Sequence, residues 1–147
     1  MEFRKKNVEH YRYLIKQKSS NKEVIIFSKA VKDFSSKTLS YLDKIEEFEN
    51  KVDLSKRIDG NFNDRIQRAI NNILYTISRM KYTLEDFEKY TKEYESSNED
   101  ERTEANITNG IQRYMKWLKN QSDEINNEYE ILDEIFNSEE LKKIIEK

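Results

Sequence analysis

The chain has 147 residues, of which 38% are charged and 35% hydrophobic, with 27 Lys/Arg against 29 Asp/Glu and a formal net charge of −2. That length fits one domain, residues 1–147, large enough to bury a core, and the high charge favours long thin helices, which have much surface per residue. The absence of proline and the presence of only two glycines argue against a β-rich fold, and the absence of cysteine excludes disulfides, thiolate zinc sites and a cysteine nucleophile.

The first predicted element covers residues 2–17. Phe3, Val8, Tyr11, Leu14 and Ile15 fall near one face, and Tyr13 sits off it. This stretch is basic: residues 1–19 carry six Lys/Arg against two Glu. Residues 93–147 carry seven Lys/Arg against fifteen Asp/Glu. The asymmetry implies either attraction within the fold or a basic face for an acidic partner. No apolar stretch follows Met-Glu-Phe-Arg-Lys-Lys, so a secretory signal is not expected. The two glycosylation-type sequons, at Asn106 and Asn120, then read as chance.

Ser19-Ser20-Asn21 interrupts the pattern, and Ser20 with Glu23 has capping-box spacing. A long helix over about 21–51 follows. Its seam interleaves two lines at steps of three and four: Val24, Val31, Thr38, Ile45, Val52 and Phe27, Phe34, Tyr41, Phe48. That is a coiled-coil-like heptad pattern. Ile25, Ala30, Leu39 and Leu42 widen the stripe, which favours a multi-helix bundle over an isolated pair.

Residues 53–61 hold the turn signal Asp59-Gly60, with Asn61 or Asn63 to cap the next helix. That helix is predicted from about 62 to 96. Its core line is Ile66, Ile70, Ile73, Ile77, Met80, Leu84, Phe87, Thr91, Tyr94. Run antiparallel to its predecessor, it brings its aromatic end to the Val24–Phe34 end. The acidic stretch 96–101 reads as a loop and Thr103 as the next N-cap. The fourth helix extends to about Phe136, with the line Ile111, Leu118, Ile125, Leu132 and a companion line Ile107, Tyr114, Gln121, Glu128, Ile135 that turns polar midway. Tyr129 and Phe136 shift the apolar face sideways. Gly110 lies inside this helix and suggests close packing against a neighbour. Asn137-Ser138 stops it and caps a short last helix, Glu139 to Glu146, carrying Leu141, Ile144 and Ile145. The expected fold is all-α: an antiparallel bundle of three long helices plus a short N-terminal and a short C-terminal helix.

The sequence offers little chemistry. His10 is the sole histidine, so the paired Glu-x-x-His motifs of di-metal bundles are absent. Glu128 on an otherwise apolar line reads as an edge carboxylate paired with lysine, and Gln121 as a polar residue setting register. No glycine-rich phosphate loop or nucleophile elbow occurs. No enzymatic activity, cofactor or metal site is expected. No apolar run approaches the ~20 residues needed to span a bilayer, so no membrane partner is expected either, and the cytoplasm is the expected location.

The expected function is therefore interaction. Tyr114, Met115 and Trp117 cluster on a turn and a half of the fourth helix, and aromatic and methionine residues concentrate at protein interfaces. They are the candidate contacts for a partner protein, with the acidic stretch Glu93–Glu101, including Glu99, Asp100 and Glu101, as a steering surface. Tyr82 and Tyr90 also fall off the main lines. One alternative is a self-assembling structural protein, a homo-oligomer whose seams pair between chains. Another is a nucleic-acid binder through Arg4, Lys5, Lys6, Arg12 and Lys16, which the net negative charge disfavours.

Tyr129-x-x-x-Asp133 near the C-terminus, and also Tyr82-x-x-x-Asp86, have the spacing found in small helical partner proteins of type VII secretion, which this chain resembles in its heptads. The Trp-x-Gly turn of that family is missing, since Leu118 and Lys119 follow Trp117 within a helix, so the chain is not assigned to it. Lys (19), Ile (16) and Asn (14) are abundant, in the manner of an AT-rich genome such as that of a low-GC bacterium or its phage. In character the chain is similar to small inhibitors or adaptors carried by mobile elements.

Overall fold

The computed structural model describes residues 4–5, 22–51, 62–95 and 101–146; for 93–95, 101–108 and 144–146 the backbone alone is described. Four helices follow in order: α1 Lys22–Lys51, α2 Phe62–Glu95, α3 Glu101–Phe136 and α4 Glu139–Glu146. The Ser20 cap, the Asp59-Gly60 turn and the expected first helix beyond residues 4–5 lie outside the described residues. The bundle is all-α, as the heptads require.

The heptads dictate what is buried. On α1, Val24, Phe27, Val31, Thr38, Tyr41, Ile45 and Phe48 are buried, and Phe34 is half-buried. On α2 the line from Ile66 through Thr91 is buried at every expected position, joined by Phe62, Ala69 and Thr76. On α3, Leu118, Gln121, Ile125, Tyr129, Leu132 and Ile135 are buried, while Ile111 and Tyr114 pack half-buried against the core. Each fully buried aliphatic or aromatic side chain contributes on the order of 1.5–3 kcal/mol of transfer free energy.

Cross-helix contacts fix the directions. Phe27 meets Phe87 edge-on with ring centroids 6.0 Å apart, and Gln67 Nε2 donates to Glu49 Oε1 at 2.9 Å near the other end. Numbers rise along α1 as they fall along α2, so the two run antiparallel, with the aromatic end of α2 against the start of α1 as expected. Asn72, Arg79, Thr83 and Phe87 of α2 meet Glu128, Glu124, Gln121 and Tyr114 of α3, again antiparallel. α1 and α3 therefore run parallel, with Thr38 beside Tyr129 and Tyr41 beside Asp133.

Ser138 ends α3 and starts α4. Its Oγ accepts from the Leu141 amide at 3.2 Å, the N-cap geometry, and Leu141 is fully buried. Gly110 lets Tyr90 approach: a Cβ there would overlap the Tyr90 phenol ring. Its role is close packing against α2.

Three expectations change. α3 begins at Glu101, two residues before the expected cap, so Thr103 lies inside its first turn. Helix starts leave orphan amides that need not meet a side chain. Ile25 does not widen the buried stripe but is 52% exposed, since none of the described helices covers that side of α1. Glu128 pairs with Asn72, whose Nδ2 donates at 3.2 Å, and not with a lysine among the described residues. The apolar face does shift sideways toward the C-terminal end of α3, where Tyr129 is one of the largest fully buried side chains.

Candidate functional site

Alongside the α2–α3 seam runs a groove of about 460 Å³, lined by Arg79, Tyr82, Thr83, Asp86 of α2 and Trp117, Asn120, Gln121, Glu124 of α3. Its origin is helical spacing. On each helix the lining positions recur at three and four residues, just outside the core line, so both helices present their flanking rows to one trough. Antiparallel register then sets 79 opposite 124 and 83 opposite 121.

Trp117 is the hub. It is 43% exposed, and it also borders a second recess with Tyr90, Asn109, Gly110, Arg113 and Tyr114. A chain of rings anchors it. Trp117 stands edge-on to Tyr114 at 5.2 Å, Tyr114 stacks on Phe87 at 4.6 Å, and Phe87 meets Phe27 in the core. Tyr82 opposes it from α2 and is 61% exposed. Arg79 lies 3.8 Å from Glu124 at one end of the trough, and its guanidinium sits 5.7 Å from the ring of exposed Tyr75.

The most buried liner is polar. Gln121 is only 6% exposed, and its Nε2 points to Thr83 Oγ1 at 3.4 Å. The Thr83 hydroxyl donates its own proton to the Arg79 carbonyl at 2.9 Å. It can therefore only accept from Gln121, which orients the amide. Gln121 Oε1 is left buried with no hydrogen-bond partner. Such an acceptor costs about 1–3 kcal/mol relative to a satisfied one.

Of the candidate contacts read from the sequence, Trp117 reaches the surface, while Tyr114 and Met115 are half-buried against the core. Glu99 and Asp100 and the side chain of Glu101 lie outside the described residues, as do Lys6, Arg12 and Lys16. Arg4 and Lys5 are described, and both reach side chains of the long helices at the surface. Arg4 Nη2 donates to Asn71 Oδ1 at 3.2 Å, and Lys5 bridges Asp43 (2.6 Å) and Glu46 of α1. Its bonds to Asp43 and then Glu46 hold the Lys5 ammonium protonated well beyond the ordinary lysine range.

Tyr129 and Asp133 have a structural use. The Tyr129 hydroxyl donates to the Phe34 carbonyl at 2.9 Å and lies 2.8 Å from the Thr38 hydroxyl, while Tyr41 donates to Asp133 Oδ1 at 2.6 Å. The Tyr41 and Tyr129 rings stack at 4.8 Å. Burial pushes the Tyr129 phenol up to about 12, partly offset by Thr38, and burial followed by the Asp133 bond raises Tyr41 as well. Tyr82 and Asp86, by contrast, both face the groove.

Tyr82, Thr83, Asp86 and the orphaned Gln121 oxygen escaped the sequence reading as a site. The available signal was the matching three-and-four spacing of 79, 82, 83, 86 and of 117, 120, 121, 124. Among the described residues no group of three or more His, Asp or Glu side chains converges in a way that could hold a metal ion, and no helix is long and apolar enough to cross a membrane. Comparison of the chain with protein families, curated proteins and solved structures finds no match in any of the three.

Proposed function

We propose that this protein is a non-enzymatic helical interaction module that acts inside the cell by binding another protein, as an inhibitor or adaptor does. The observation that supports it is the pairing of Trp117 (43% exposed) with Tyr82 (61% exposed) across one groove. Large aromatics held rigidly at a surface are what protein interfaces use as anchors. The ring chain from Phe27 to Trp117 pre-organises that anchor, so little side-chain entropy remains to be lost on binding.

The nucleic-acid alternative draws less support. Lys5 already faces two carboxylates, which compensate its charge, and Arg4 is left as the described basic residue of that stretch whose partner, Asn71, is neutral. The self-assembly alternative would place the aromatic groove against a second copy.

Photo-crosslinking from position 82 in the native host tests the proposal. The expected result is one stoichiometric adduct with another protein that disappears when Trp117→Ala is added. Absence of any adduct would refute it, and an adduct with the chain itself would favour self-assembly.

A further inference from the structure

The groove specifies more than an aromatic contact. Three features converge on it. Gln121 Oε1 is a buried acceptor with no donor. Asp86 lies on the same wall as Thr83 and has no ion-pair or hydrogen-bond partner among the described residues. Trp117 offers a π-face at the rim, and the Tyr82 ring beside it already attracts a cation, with the Lys81 ammonium 5.3 Å from its centroid. All three favour the same kind of group, a cation rich in N–H donors.

We infer that the groove seats an arginine side chain presented by the partner protein. This rests on the interaction-module reading and names the chemistry of its contact. A guanidinium carries five N–H donors in a plane and no acceptor. One donor can satisfy Gln121 Oε1 while others face Asp86, and the flat face lies on an aromatic ring. A backbone amide would satisfy Gln121 and leave Asp86 unused. A lysine ammonium is compact and strongly hydrated, and it matches neither the planar stack nor acceptors distributed over two helices. An acidic side chain would face Asp86 and Glu124 and bring no donor.

The local charge agrees. The groove contains the carboxylates of Asp86 and Glu124 and the single cation Arg79. Arg79 is already committed to Glu124 and to the Tyr75 ring. It therefore closes one end of the trough and leaves the Asp86–Gln121 section for an incoming cation. Gln121 Oε1 is covered in the structure, so the donor reaches it when the exposed rim side chains change rotamer, as interface side chains commonly do.

The probe is the peptide acetyl-Gly-Arg-Gly-amide, with its citrulline counterpart as the isosteric neutral control. Trp117, the sole tryptophan, reports binding through its emission, and the side-chain NH₂ resonances of Gln121 report it locally. The expected result is a saturable response to the arginine peptide in the millimolar range, with the citrulline peptide at least ~10-fold weaker. Gln121→Leu and Asp86→Asn should each weaken the arginine response by about 10-fold, a loss typical of a charge-assisted bond. Asp86 is exposed, so its variant tests the proposal even if the core substitution perturbs folding. No saturable response up to about 20 mM, equal responses to the two peptides, or wild-type affinity in Asp86→Asn would each overturn the inference. Were a partner still crosslinked from position 82 and lost with Trp117→Ala, the interaction-module reading would stand and the arginine assignment alone would fall.

Discussion

α3 meets its two neighbours through buried polar side chains, and the two contacts are completed differently. Against α1, the Tyr129 hydroxyl, the Thr38 hydroxyl and the Phe34 carbonyl form a closed set within 2.7–2.9 Å, and Tyr41 reaches Asp133. Lys37 lies over the Tyr129 ring at 4.6 Å. Against α2, Gln121 makes one long bond to Thr83 and keeps an unpaired oxygen. The first contact follows the rule that buried polar groups are bonded. The second departs from it beside an exposed aromatic groove. A closed set fixes how α1 and α3 align. An open one leaves free energy available to an outside donor.

The comparison can be broken most directly at Tyr129. Tyr129→Ala removes a fully buried ring from the α1–α3 contact and should cost about 3–5 kcal/mol in chemical denaturation. A loss below about 1 kcal/mol would show that the closed set is not a main support of the fold.

Alkaline pH provides the next largest effect. The folded phenol of Tyr129 is raised to about 12, above the ordinary tyrosine value near 10, so folding favours its neutral form. That stability is fully present below pH 10 and is lost as pH rises through about 12. The loss should be roughly 2–3 kcal/mol, with Tyr41 adding in the same direction. Unfolding followed by circular dichroism from pH 8 upward should show a plateau and then a fall, and Tyr129→Phe should flatten the fall. An unchanged slope in that variant would mean that other groups govern the alkaline limit.

Removing single hydroxyls is a smaller perturbation. Tyr129→Phe and Tyr41→Phe should each cost about 1 kcal/mol at neutral pH, the net worth of one intramolecular hydrogen bond. The two substitutions lie in one stacked cluster, so their double variant should deviate from additivity.

The smallest effect is expected at Gln121, and it sharpens the contrast by its sign. Gln121→Leu fills similar volume and removes an unsatisfied acceptor, so stability should be unchanged or slightly higher, within about 1 kcal/mol. A cost matching that of Tyr129→Phe would mean that Gln121 is as well bonded as Tyr129, and the distinction between the two faces would disappear.

Much of the bundle was legible in the chain. The α2 line from Ile66 to Thr91 needed only a period of three and four, and every member is buried. The Ser138 cap was readable because a hydroxyl followed by two glutamates marks a helix start. Ile25 misled because hydrophobicity states a preference for burial and does not supply the neighbour that would cover it. Of the site, Trp117 stood out by its chemistry. Tyr82, Asp86 and Gln121 did not, because nothing within either helix says which residues of the other will lie opposite.

By itself, the sequence determined the long helices, the junction at Ser138 and most of the face each helix would bury. Those are properties of one helix, set by side chains three and four residues apart and by the chemistry of the terminal residues. Tertiary structure alone decided which polar atoms found partners: Tyr129 at Phe34 and Thr38, Glu128 at Asn72, and the buried Gln121 Oε1 at none. A hydrogen bond requires two atoms from separate helices within about 3 Å. That distance depends on register and rotation between helices, which no periodicity within a single one specifies.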